Sequence, residues 1–168
     1  ADVVDGVAAI SIFTSGQLVY DGLRALERAE IDVSIFEDLI GPSARCVFCF
    51  GNGEDDASYI RSAGLKSTNV EDADFLLARG LFQTVGENEI PLSFVHGDEV
   101  DSILKIASER KLPMIVANPD LIRPDGNLSP MPGQLADRYE SHFSGRTLRI
   151  GKPHSAIYSA VFSALRDI

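Results

Sequence analysis

Short apolar runs alternate along the chain with longer stretches in which apolar positions recur every three or four residues. Residues 7–13 predict a strand, closed by Thr14-Ser15-Gly16. Behind that turn Val19, Leu23 and Leu26 keep the i, i+4, i+7 spacing of one buried helical stripe. Residues 44–50 predict a second strand, ended by Gly51-Asn52-Gly53. Asp55 or Asp56 then caps a short helix through Tyr59 and Ile60, which Gly64 stops. Residues 75–78 predict a third strand, entered from the acidic run Glu71-Asp72-Ala73-Asp74.

The stretch 82–97 is the least periodic and holds Gly86, Pro91 and Gly97, so a long loop is expected there. Asp98 is expected to cap a helix in which Val100, Ile103, Leu104 and Ala107 share one face. Residues 113–117 predict a fourth strand running straight into Asn118-Pro119-Asp120, and 123–127 have turn chemistry. A helix is expected over 134–143 and a fifth strand over 147–150. After Gly151-Lys152-Pro153 comes a last helix with Ile157, Val161 and Leu165 on one side. Strands separated by helices in this rhythm pair in parallel, so the expected fold class is α/β, a parallel sheet covered by helices.

Composition narrows the classes. The chain has 168 residues, 45% hydrophobic and 24% charged, which suits one domain or one and a fraction. Its apolar runs fall far short of the ~20 residues that span a bilayer. With no basic leader followed by an apolar stretch, a cytoplasmic location is expected. The net charge of −10 and the lack of a Lys/Arg cluster argue against nucleic acid as a partner. Cys46 and Cys49 have CxxC spacing, but residues three apart on a strand point to opposite faces, and no second cysteine pair completes a zinc site. Inert core cysteines are the expectation.

In parallel sheets ligands bind beyond the carboxyl ends of the strands, which singles out three clusters. Thr14-Ser15-Gly16 is either a helix N-cap or an anion site at a helix N-terminus. Asn118-Pro119-Asp120 is either an ordinary Asx turn or an amide and a carboxylate held stiffly for a substrate, since proline restricts both itself and Asn118. Lys152 is either solvated or set to offset the charge of a phosphate or carboxylate. It is not a Walker lysine, because no GxxxxGK[ST] pattern precedes it. His96 and His142 read as surface residues, while His154 neighbours a candidate site. No Ser-His-Asp order or GxSxG elbow occurs.

The stretches Leu112-Pro-Met-Ile-Val-Ala-Asn-Pro-Asp-Leu121, Met131-Pro-Gly-Gln-Leu-Ala-Asp-Arg-Tyr-Glu140 and Gly151-Lys-Pro-His-Ser-Ala-Ile-Tyr158 resemble, in order, the class IIA (NagD-like) hydrolases of the haloacid-dehalogenase-like superfamily. Thr14-Ser15-Gly16 before a helix and residues 70–78 are similar to the same group. The resemblance implies a Rossmann-like core, incomplete here, with an inserted α/β cap: 1–30 partial core, 31–145 cap, 146–168 return to the core. It further implies a magnesium-dependent phosphatase of a small phosphorylated metabolite acting through an aspartyl-phosphate. Lys152 matches the family's lysine motif. Asn118, Pro119 and Asp120 match the cap loop that meets the substrate, and Thr14, Ser15 and Gly16 are carried over as substrate-binding positions. The family's nucleophile motif reads D-x-D-G; the nearest segment here is Asp2-Val-Val-Asp5-Gly6, with one residue more between the aspartates, which makes Asp5 the catalytic candidate. The magnesium ligands stay unassigned, and the gaps in the motif pattern lead to the expectation that stretches of the protein lie outside this sequence. A homo-oligomer through the cap is one option for assembly. The alternative is a catalytically degenerate relative, a binding or scaffolding protein that lacks the nucleophile.

Overall fold

The computed structural model describes residues 15–28, 39–91, 97–123, 130–151 and 158. Outside these residues lie the strand expected at 7–13, the turn from 124 on, nearly all of the last helix, and the candidates Asp5, Thr14, His96, Lys152 and His154.

Among the described residues, seven strands form one sheet: β1 (Cys46–Gly51), β2 (Lys66–Ser67), β3 (Phe75–Ala78), β4 (Gln83–Val85), β5 (Glu89–Pro91), β6 (Met114–Val116) and β7 (Thr147–Arg149). The order is β5-β4-β1-β3-β6-β7, with β2 pairing β1 off that path. β1 pairs in parallel with β2 and β3, β3 with β6, and β6 with β7. The α/β expectation therefore holds. The central strands are buried on both faces, and their unbroken apolar sequences (Cys-Val-Phe-Cys-Phe, Phe-Leu-Leu-Ala, Met-Ile-Val) are those of strands covered by helices above and below.

Two expectations need correction. The stretch expected to be a long loop over 82–97 holds β4 and β5, an antiparallel hairpin in which Thr84 lies opposite Ile90. It adds an antiparallel margin to the parallel strands, through Cys49 opposite Val85 and Phe50 opposite Thr84. The strands are three residues each and mix polar with apolar positions, too short for a two-residue alternation to stand out. Asp98 is the first residue of its helix, with Gly97 at the cap position and no side-chain cap bond. The acidic first turn (Asp98, Glu99, Asp101) still complements the positive end of the helix dipole.

The helices named among the described residues are α1 (Ser15–Arg28), α2 (Asp56–Ser62), α3 (Asp98–Glu109) and α4 (Pro132–Phe143). Val19 and Leu23 of α1 and Ile60 of α2 pack with Val47, Cys49, Phe75, Leu77 and Ile115 on one face. Val100, Leu104 and Ala107 of α3, with Leu135, Ala136 and Tyr139 of α4, pack with Phe48, Phe50, Leu76 and Met114 on the other. The alternation along β1 thus puts Cys49 in one core layer and its neighbours Phe48 and Phe50 in the opposite one, and burial raises the Cys49 thiol well above its ordinary pKa. No helix among the described residues is long and apolar enough to cross a membrane.

Candidate functional site

All the long parallel strands end at one edge of the sheet, and the loops leaving that edge carry its chemistry. They are Asn52-Gly53 after β1, Arg79-Gly80 after β3, Asn118-Pro119-Asp120 after β6, and Ile150-Gly151 after β7. The Ala117 N–H donates to the Ala78 carbonyl at 2.9 Å, and the Ile150 N–H donates to the Val116 carbonyl at 2.9 Å. The β3, β6 and β7 ends therefore stay in register to the last described residue.

The turn after β6 is built by its own side chain and by α4. Asn118 Oδ1 accepts the Asp120 N–H at 3.3 Å across Pro119, which makes an Asx turn. The Asp120 carbonyl accepts the Gly133 N–H at 3.0 Å, and Gln134 Nε2 donates to the Leu121 carbonyl at 2.5 Å. The first turn of α4 thereby holds the loop. Only glycine fits at 133, because a Cβ there would lie 2.2 Å from the Pro119 carbonyl oxygen and 2.6 Å from that of Asp120. Pro132 at the helix start needs no partner for an N–H it lacks. The result is a fixed loop with Asn118 and Pro119 half-buried and Asp120 exposed. Such a carboxylate can accept hydrogen bonds from a hydroxyl or ammonium group without first ordering the backbone beneath it.

A second cluster, at the ends of β1 and β3, was not singled out from the sequence. Asp56, read there as a helix cap, has a fully buried side chain. Its carboxylate reaches back and accepts the N–H groups of Asn52 (3.1 Å) and Gly53 (2.9 Å). It also takes Arg79 Nη1 and Gln83 Nε2, each at 2.8 Å. Arg79 Nη2 reaches Asp55 at 2.7 Å, and its guanidinium lies 3.7 Å over the Tyr59 ring. This arginine holds the Asp55 carboxyl below its ordinary range. With four donors on Asp56 and the Arg79 fork divided between two aspartates, the cluster is a brace for the edge and not an acid–base site. Its sequence signal is an Asp pair after Gly-Asn-Gly and an Arg-Gly directly after a strand, each commonplace alone.

The Tyr59 hydroxyl donates to the Gly16 carbonyl at 2.8 Å, and Tyr20 meets the Tyr59 ring edge-on at 5.2 Å. The start of α1, Ser15 and Gly16, is thus tied to the Arg79 brace, while Asn118, Pro119 and Asp120 stand together at the end of β6. Gly151, the residue before Lys152, is buried at the end of β7. Among the described residues no three His, Cys, Asp or Glu side chains converge as metal ligands.

No protein-family model and no curated protein matches the sequence. Solved structures share its fold, and the class they define is an α/β sheet covered by helices. More narrowly, the chain is similar to a haloacid dehalogenase-like hydrolase from Brucella suis 1330, at 25% identity and a TM-score of 0.64 over 92% of this chain and 49% of that one. It is similar to NagD from E. coli K-12 (18%, 0.59, over 92% and 49%) and to p-nitrophenyl phosphatase from Archaeoglobus fulgidus (19%, 0.55, over 88% and 48%). The fold matches the NagD-like haloacid-dehalogenase-like resemblance seen in the sequence, and the chain spans about half the length of the structures it matches.

Proposed function

We propose that the chain is part of a phosphoric monoester hydrolase of the haloacid-dehalogenase-like kind, and that the edge holding Asn118 and Asp120 faces its substrate. In this reading the sheet described above is the cap, which then runs past the expected boundary at 145 to include β7, with segments of the catalytic core flanking it in the sequence. Lys152 offsets phosphoryl charge, and Asn118 and Asp120 contact the leaving group. The observation that carries the reading is the pairing of β6 with β7, Val116 opposite Arg149. It sets the Asn-Pro-Asp turn and Gly151, the residue before Lys152 in the sequence, at neighbouring strand ends, the side on which parallel sheets take their ligands. The likeness to hydrolase structures points the same way.

Magnesium belongs to this reading, as it does to aspartyl-phosphate chemistry in general, where it screens phosphate charge. The described residues offer no ligand set for it; Asp5, the candidate nucleophile, lies outside them. What the described residues supply is orientation: a braced edge and a carboxylate on a fixed turn. The test is phosphate release by the intact protein from a panel of phosphomonoesters, with Lys152→Ala alongside. Turnover is expected to fall by ~10²-fold or more in the variant, the scale of losing one charge stabiliser. A variant as active as the parent, or an intact protein that releases no phosphate with magnesium present, overturns the reading.

A further inference from the structure

At the other end of the sheet, where β6 and β7 begin, lies a cavity of about 330 Å³. Its wall includes Ser108, Lys111, Leu112, Tyr139, Ser144 and Arg146. Lys111 and Leu112 precede β6 and Arg146 precedes β7, whereas the Asn-Pro-Asp turn and Gly151 follow those strands. The helix α4 runs from one end to the other, and its 12 residues put about 18 Å between them.

The rim is built by two helix ends locked to each other. Ser108 Oγ of α3 donates to the Phe143 carbonyl of α4 at 2.6 Å, and the Tyr139 hydroxyl of α4 donates to the Leu112 carbonyl at 2.7 Å. Lys111 and Ser144, each just past its helix, are the two non-glycine residues with positive φ among the described residues (58° and 54°). Both line this one cavity. Glycine takes that conformation at less cost, so a lysine and a serine there point to a use for their side chains. The cations are not needed as caps: the Ala107, Ser108 and Tyr139 carbonyls already accept the N–H groups of Leu112, Lys111 and Gly145 at 2.9, 2.9 and 3.0 Å. Among the described residues neither Lys111 nor Arg146 makes an ion pair. The lining thus carries two cations and no carboxylate, in a chain of net charge −10. A concave wall of one sign focuses its field on whatever enters it.

We propose that this cavity is an anion site, separate from the edge that carries Asn118 and Asp120, and that it takes a phosphate group, free or carried on a small molecule. The doubly charged group lies between Lys111 Nζ and the Arg146 guanidinium, whose planar fork suits two of its oxygens. Ser144 adds a hydroxyl donor on the same rim. A single carboxylate brings half the charge and is held more weakly. Both cations are exposed, so added sodium chloride screens the site and weakens it. Nothing in this site depends on the phosphatase reading.

The test is an NMR titration of the intact protein with inorganic phosphate, propylphosphonate and acetate at matched ionic strength, following the backbone amides of Ser144 and Gly145. Phosphate and propylphosphonate are expected to shift both amides at millimolar concentration, and the tighter of the two tells whether the anion is free or carried on an organic body. Acetate should bind more weakly than either. Arg146→Gln and Lys111→Gly are each expected to weaken phosphate about tenfold, the scale of one hydrogen bond to a charged group. Lys152→Ala should leave both amides responding as in the parent. Because Lys111→Gly removes the cation at a position where glycine is at ease, it should melt no lower than the parent, which separates lost binding from lost folding. Amides that phosphate leaves unmoved, acetate that binds as tightly as phosphate, or either variant binding like the parent overturns the proposal. Shifts that vanish in Lys152→Ala overturn it too, since they place the anion at the other end of the sheet.

Discussion

At the scale of single residues, the most consequential side chain is Asp56. Its side chain is wholly buried, paired with Arg79, and takes four donors from three parts of the chain. Breaking a buried pair by removing one partner leaves the other charge uncompensated, which costs about 3–5 kcal/mol. Asp56→Ala is expected to lower unfolding stability in urea by about that amount, and Arg79→Leu in the same chain should recover part of it. A loss under 1 kcal/mol would show that water replaces the missing carboxylate.

Tyr139 gives a pH signature. Its hydroxyl is buried and donates to the Leu112 carbonyl at 2.7 Å, and burial pushes its pKa up to about 12 from the usual value near 10. Because the folded chain holds this proton more tightly than the unfolded one, the stabilisation is complete below pH ~10 and is lost as pH rises toward 12. Urea melts between pH 9 and pH 12 are expected to fall less steeply for Tyr139→Phe than for the parent. Parallel slopes would rule out this linkage.

Among the elements, α4 and the Asn-Pro-Asp turn form the most demanding contact. The missing Cβ of Gly133 lets the helix start against two carbonyls, and no side-chain movement can relieve a collision with backbone. Gly133→Ala is expected to cost about 1–3 kcal/mol by overpacking, readable as a lower melting temperature. In the phosphatase reading it also lowers turnover, since the displaced turn carries Asn118 and Asp120. A variant as stable and as active as the parent would show that the turn is free to move.

The same elements explain what the sequence discloses. The helices of 98–109 and 132–143 and the strands of 46–51 and 75–78 are legible because each buries a strong periodic or continuous apolar pattern. The Asn-Pro-Asp turn is legible too, since proline and an Asx residue leave the backbone few choices. The β4–β5 hairpin is not, because Glu89, Ile90 and Pro91 are all exposed and no buried face writes itself into their order. Nor is the Asp56–Arg79 brace, whose members are 23 positions apart and meet only once β1 and β3 have paired.

Over the whole molecule, the sheet gathers its strand ends on one side, so every loop that can meet a ligand is anchored in a buried, two-sided core. Acidic residues outnumber basic ones 25 to 15, and several of the cations are already committed. Arg79 is spent on Asp55 and Asp56, Arg138 on Asp101, and Arg149 on Asp137 and Glu140. In the phosphatase reading the charge of the phosphorylated ligand is assigned to Lys152, and that is the variant on which the reading is tested.

One flank of β1 is shared between two partners. β2 takes Cys46 and Val47 in parallel, and β4 takes Cys49 to Gly51 in the opposite sense, while β3 holds the other flank from Val47 to Phe50. The hairpin thus clasps only the last half of the strand. Nature can lengthen or replace the exposed outer strand, Glu89–Pro91, while Val85 stays in the core and the first half of β1 keeps its neighbours.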